Sequence, residues 1–249
     1  MLYVILSLTF AAASFLFAMV GLGGAIVYVP VLKWADFPVK HVAIPLALLL
    51  NGLTTLIALI PYFRSRLVDW KGGLAMTIGA FIFAPIGAFA SRVIPLKFLM
   101  ILFAIGVVIT GIRMLYSSKQ PEPKELMSFR KRAILGGVIG AFAGFVAGLL
   151  GIGGGFIMSP LLMWMGYETK KAVATSAFAV TFSSFSGFAG HVAQGHLDIH
   201  LTVILVLTVF VGAFFGSRFM VQKARSYRIK QVFAVVLFVI AAQLFYTVL

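Results

Sequence analysis

Side chains able to do acid–base or metal chemistry are scarce in this chain: 249 residues carry six carboxylates, four histidines and no cysteine. His191, His196 and His200 with Asp198 have ligand-like chemistry. They sit in or beside a loop with no helical register to converge them, so interfacial residues are expected there, with no metal and no cofactor. His191 lies deeper and is the candidate for proton coupling. Asp69 and Asp198, at matching positions, read as N-caps of the helices that follow. No carboxylate pair and no nucleophile–base arrangement stands out in the apolar stretches, which argues against a membrane enzyme. Without cysteine, disulfides, thiolate metal sites and cysteine catalysis are excluded.

The backbone is the remaining source of chemistry. "GLGGAIVYVP" at Gly21 to Pro30 returns as "GIGGGFIMSP" at Gly151 to Pro160, 130 residues on. Glycine inside a helix costs about 0.5 to 1 kcal/mol relative to alanine, so two matched clusters read as intended breaks. Each break should end where a short helix begins, at about Ala25 and Phe156, with free N–H groups and the positive end of a helix dipole. Such a turn can hold an anion without a buried Lys or Arg, and the candidate binding residues are Gly21, Gly23, Gly24, Gly151, Gly153, Gly154 and Gly155. The alternative is that these glycines only allow close helix packing. A nucleotide loop is the weaker reading, because no soluble strand precedes either cluster.

Polar side chains could complete such a site. Along 172–190, Ser176, Ser183, Gly187, Gly190 and Gln194 fall within about 40° of one helical line, with Ser184 and His191 beside it. The comparable face of 42–63 carries Asn51, Thr55, Ala58 and Tyr62. Asn51, Thr55, Thr175, Ser176 and Ser183 are therefore candidate substrate contacts. The same groups could instead be interhelical glue, worth about 0.6 kcal/mol each.

The elements that must position these groups follow from composition. With 62% hydrophobic and 10% charged residues and mean hydropathy +1.10, the chain could not cover a water-facing surface, whereas a bilayer rewards one this apolar. The formal charge of +14 is expected to sit in cytoplasmic loops, not on a nucleic-acid surface. Eight apolar segments run over 2–34, 42–63, 72–91, 98–116, 133–167, 172–190, 201–217 and 231–249. The first twenty residues lack a positive n-region and run into the repeated motif, so they read as retained structure. A hydrophilic, proline-containing stretch at 117–132 divides a first transmembrane repeat (1–116) from a second (133–249). At the same offset Pro30, Trp34 and Lys40 fall on Pro160, Trp164 and Lys170, the pattern of a doubled transporter fold.

Segments 2–34 and 133–167 are too long for one crossing and too short for two comfortable ones. Crossing once, they would divide the 20 cations nine against eleven. Turning back at the glycines, they leave only Lys33, Lys40, Arg92 and Lys97 on one side and the other sixteen opposite. The second division obeys the positive-inside rule. The expected fold class is thus an all-α polytopic membrane protein of two inverted repeats, each a re-entrant broken-helix hairpin plus three transmembrane helices. Both termini are expected outside and the linker in the cytoplasm, with the glycine turns meeting near the midplane.

The two decapeptides, with the small-residue "G-A-F…SR" helices that end at Arg92 and Arg218, resemble the sulfite exporter TauE/SafE family over nearly the whole chain. The resemblance implies a prokaryotic inner-membrane permease for sulfite, sulfoacetate and related sulfur-containing anions. Two departures separate the halves: Ala25 stands where the second repeat has a third glycine, and "VAIPLALLLN" stands opposite "AVATSAFAVT". The resulting expectation is a secondary transporter of small sulfur-containing anions, not an enzyme. Its partners would be the anion, the lipid bilayer and a second copy in a homodimer, with no nucleic acid. A passive anion channel and a non-transport membrane scaffold or enzyme are the alternatives.

Overall fold

Nineteen apolar residues are enough to cross a bilayer as a helix, and the chain builds its architecture from units of about that length. The computed structural model describes residues 2–91, 93, 96–123, 125–192 and 198–248. The elements are α1 (Leu2–Val20), α2 (Ala25–Trp34), a π-helical turn (Val39–Ala43) running into α3 (Ile44–Arg64), α4 (Trp70–Ala90) and α5 (Leu96–Ser118). The second half repeats the series with α6 (Phe129–Leu150), α7 (Gly155–Trp164), α8 (Thr169–Val192), α9 (Ile199–Gln222) and α10 (Ser226–Val248). Seven helices among the described residues are long and apolar enough to cross a membrane, and α5 adds an apolar stretch over Ala104–Ser118. Gln194, His196 and Arg92 lie outside the described residues.

Asp69 and Asp198 begin their helices as the sequence predicts. The Asp69 carboxylate accepts from the Gly72 N–H at 2.9 Å, and that of Asp198 from the His200 N–H at 2.9 Å. One boundary moves. Helix α6 starts at Phe129, inside the stretch expected as linker, so Arg130, Lys131 and Arg132 ride on its first turn.

Both glycine breaks turn the chain back on itself. Continued straight, α1 would carry Tyr28 about 12 Å past Val20; instead the Tyr28 ring stacks on Phe10, centroids 4.5 Å apart. In the second half, a Cβ on Gly154 would lie 3.0 Å from the carbonyl oxygen of Ala143, seven residues before the end of α6. The hairpins are lopsided. Their outer limbs hold 19 and 22 residues, each long enough for a crossing, while the inner limbs hold 10, about 15 Å. Loops that a single crossing would separate sit together: Tyr167 donates to Asp69 at 2.8 Å and accepts from Arg132 at 2.7 Å, and Glu122 reaches Thr169 at 2.7 Å.

Contacts between the halves set helix direction. On α3 and α8, Asn51 meets Ser184, Thr55 meets Thr181 and Phe63 meets Phe178, so the two run antiparallel. Helices α5 and α10 are antiparallel as well, with Gly111 beside Phe238 and Ser117 bonded to Lys230. By contrast, α6 runs parallel to α4, with Gly140, Gly144 and Gly148 against Met76, Ala80 and Ala84, and α9 runs parallel to α1 through Gly212 and Gly216. Glycines four apart present a flat strip on one helix face, which lets backbones approach where bulkier side chains would hold them apart.

Candidate functional site

Helix α1 ends at Gly21, whose φ of +71° allows the Leu22 N–H to reach the Phe17 carbonyl at 3.0 Å, a left-handed C-terminal closure. Gly23 and Gly24 keep φ positive at +95° and +114°, and α2 starts at once. Its first N–H, on Ala25, donates to Asn51 Oδ1 at 2.7 Å. The other end of that amide, Nδ2, donates to Ser184 Oγ on α8 at 2.7 Å. Asn51 is fully buried and stands at the middle of the continuous helical stretch Val39–Arg64. One neutral amide therefore joins the tip of the first hairpin to the central helices of both halves.

The second hairpin closes on the same group. Gly153 has φ +75°, and a Cβ there would stand 2.7 Å from Asn51 Nδ2; one on Gly23 would collide with Oδ1 of the same side chain. Glycine at these two positions is required by positive φ and by the approach to Asn51 together. Gly155 packs against the first turn, where a Cβ would meet the Gly21 carbonyl oxygen at 2.8 Å, and its carbonyl accepts a long bond from Ser176 Oγ at 3.5 Å. The two tips thus overlap deep in the bundle. Their chemistry differs: Asn51 caps α2, whereas α7 starts at Gly155 from Gly154 in helical conformation without a side-chain cap.

The structure sorts the candidates. Gly21, Gly23, Gly24, Gly153, Gly155, Asn51 and Ser176 converge. Gly154 is the N-cap of α7, and Gly151 closes the end of α6 with its N–H on the Ala147 carbonyl at 2.8 Å. Thr55 stands one turn further along α3, its hydroxyl accepting from Thr181 at 2.9 Å. Thr175 lies elsewhere, accepting from the Asp69 N–H at 3.0 Å at the linker end. Ser183 is buried but, among the described residues, bonds only to the Val180 carbonyl of its own helix, at 3.1 Å. His191 Nε2 lies 2.9 Å from the Gly148 carbonyl, in the last turn of α6 before Gly151. Sequence reasoning missed Ser184 and Thr181 as the α8 groups that face Asn51 and Thr55. Their signal was the antiparallel match of equivalent helices, which pairs residues whose numbers sum to about 235.

At the linker end the charges are organised around two carboxylates. Partial burial raises the Asp69 carboxyl, but hydrogen bonds from Gly72, Tyr167 and Arg132 and the Arg132 charge outweigh it and hold the group below the usual carboxylate range. Tyr167 is pushed up to about 12 by burial and by its bond to Asp69. Glu122 is also lowered. Burial opposes ionisation there, yet both the hydroxyl and the N–H of Thr169, with the charge of Lys230, prevail. The Thr169 N–H donates to Glu122 at 2.9 Å, so a linker carboxylate sits at the start of α8.

A family model described as sulfite exporter TauE/SafE matches residues 6–244. The probable membrane transporter protein YunE of Bacillus subtilis is 29% identical over 99% of this chain and 98% of its own length. A probable membrane transporter protein of Methanocaldococcus jannaschii is 24% identical over 80% of this chain and 79% of its own. The sulfite exporter TauE/SafE family protein 3 of Arabidopsis thaliana is 37% identical over 31% of this chain and 16% of its own. No solved structure matches. With a match that runs from α1 through α10 and spans both glycine turns, the chain, a multi-pass membrane protein, belongs to the sulfite exporter TauE/SafE family.

Proposed function

We propose that this protein is a secondary transporter that moves small sulfur-containing anions, sulfite and sulfonates such as sulfoacetate, across a prokaryotic inner membrane. The observation that carries the reading is the overlap of two helix-breaking turns on one buried amide. Non-helical backbone at this depth is tolerated only against protein or a water-filled path, and here it is paired with helix N-termini and neutral donors, a set suited to an anion. The uncapped start of α7 is the stronger half of the site, with Gly153, Gly155, Ser176 and the free second hydrogen of Asn51 Nδ2 as donors. Asn51, Thr55, Ser176 and Ser184 are all buried, so substrate reaches them only when the hairpins and central helices part. Antiparallel pairing of α3 with α8 and of α5 with α10 supports reading the halves as inverted repeats, which rock about such a site to open one side at a time. The name of the family and those of its members favour transport over a scaffold or an enzyme.

The test is anion flux in proteoliposomes with sulfite, sulfonates, thiosulfate and sulfate as the panel. Gly153→Val forbids positive φ and fills the space beside Asn51, so it should abolish flux for every anion the wild type carries while the protein still inserts. Normal flux from correctly inserted Gly153→Val would remove the turns from the site. Flux no greater than in empty liposomes for the whole panel would remove the substrate class.

A further inference from the structure

Two cavities adjoin where α5, α6 and α7 meet, the apolar one reaching Phe156 and Ile157 in the first turn of α7. One, of about 330 Å³, is apolar, walled by Phe142, Phe145 and Leu161 with Gly106 on the α5 side. A Cβ on Gly106 would meet nothing within 4 Å, so the helix is notched there and the space beside it is open. The other, of about 350 Å³, lies at the linker end and is lined by Tyr116, Gln120, Trp164 and Lys230. Thr110, Arg113 and Pro160 line both. The two spaces are therefore one amphipathic path, apolar at membrane depth and polar at its linker-side end.

Charge at the boundary is unbalanced. Lys230 lies 3.9 Å from Glu122 and donates to the Ser117 carbonyl at 3.1 Å, so its charge is met within the protein. Arg113, five residues before the end of α5 and so about 7.5 Å inside it, makes no ion pair or hydrogen bond among the described residues. A guanidinium at interfacial depth, at the mouth of an apolar groove, calls for an anionic group carried by something that also fills the groove. A free inorganic anion would leave the groove unfilled, and a zwitterionic lipid would leave the arginine without net counter-charge.

We infer that this double cavity holds one anionic phospholipid, an acyl chain lying beside Gly106 and the phosphate at Arg113. Thr110, Tyr116 and Gln120 are placed to hydrogen-bond the glycerol and head group. The inference rests on the groove and Arg113, not on the anion path proposed above, and stands whether or not that path carries sulfite.

Native mass spectrometry of the intact protein, purified with an equimolar mixture of phosphatidylglycerol and phosphatidylcholine, tests this. The wild type should retain one phosphatidylglycerol in preference to phosphatidylcholine. Arg113→Gln should lower that retention about fivefold, the effect of one cation near a membrane surface. Gly106→Leu extends a side chain into the open space and should lower retention of either lipid, while Arg130→Gln, an exposed cation outside both cavities, should leave it unchanged. Thermal melting of each variant establishes that it is folded. Equal retention of the two lipids by the wild type, or loss in Arg113→Gln no greater than in Arg130→Gln, overturns the site. Unchanged retention in Gly106→Leu overturns the placement of the chain.

Discussion

Asn51 does with one amide what a charged residue could not do at the same depth. An ionised side chain near the bilayer midplane costs about 2.5 to 3.5 kcal/mol or more, and a leucine would leave the Ala25 N–H and the Ser184 hydroxyl buried without a partner. Asparagine can accept from one and donate to the other, and it keeps a second N–H hydrogen beside Gly153. The consequence can be measured on α8. Ser184→Ala strips Asn51 of its acceptor and should lower stability by about 0.5 to 1.5 kcal/mol, read as a lower melting temperature in detergent. Ser183→Ala removes, among the described residues, only a bond to its own helix and should lower melting less. Equal melting of the two variants would mean that the Asn51–Ser184 bond does not brace the turns. The sequence made the glycines and Asn51 legible because their types are costly in an apolar helix. It could not tell Ser183 from its neighbour Ser184, since a helical wheel ranks both on the polar side and only the partner helix decides.

Helices, their order and the two breaks were readable from hydropathy and glycine spacing, and the boundaries shifted by a few residues where basic side chains joined a first turn. What could not be read was which helix touches which. Asp69 reads as a cap, and it is one, but its second carboxylate oxygen also takes Arg132 at 2.6 Å and Tyr167 at 2.8 Å, so one residue ties the start of α4 to α6 and to the loop before α8. That tie depends on pH. The folded carboxyl is held below its ordinary value, near 4, so its contribution is fully present above that value and is lost as pH falls through the lowered one. Asp69→Asn keeps a capping oxygen and removes the charge. Melting temperature measured from pH 7 to pH 3 should therefore fall less steeply in Asp69→Asn than in the wild type. Some slope should remain, because Glu122 is shifted in the same direction. Identical slopes would show that the Asp69–Arg132 pair adds nothing to stability, as many partly exposed ion pairs do.

At the scale of the whole molecule, the hairpins decide where every loop lies. Because α1 and α2 enter and leave on one side, as do α6 and α7, the loops at 65–69, 119–128, 165–168 and 223–225 gather at one end of the bundle. The ion pairs Asp69–Arg132 and Lys230–Glu122 hold that end together. The start of α1, the start of α9 and the end of α10 lie at the other. Fifteen cations among the described residues belong to the linker end or the helix ends that approach it, and a membrane inserts so crowded a positive face toward the cytoplasm. The hypothesis is that the linker is cytoplasmic and both termini are outside. Since the chain has no cysteine, single cysteines report without background. Gln120→Cys, exposed in the linker, should be protected from an impermeant maleimide on intact cells and react after lysis. His200→Cys, whose side chain is 95% exposed at the start of α9, should react before lysis. The opposite pattern at both positions would invert the molecule in the membrane while leaving the hairpins intact. Reaction of both before lysis would instead contradict the hairpins themselves, since two ends of one bundle cannot face the same solution.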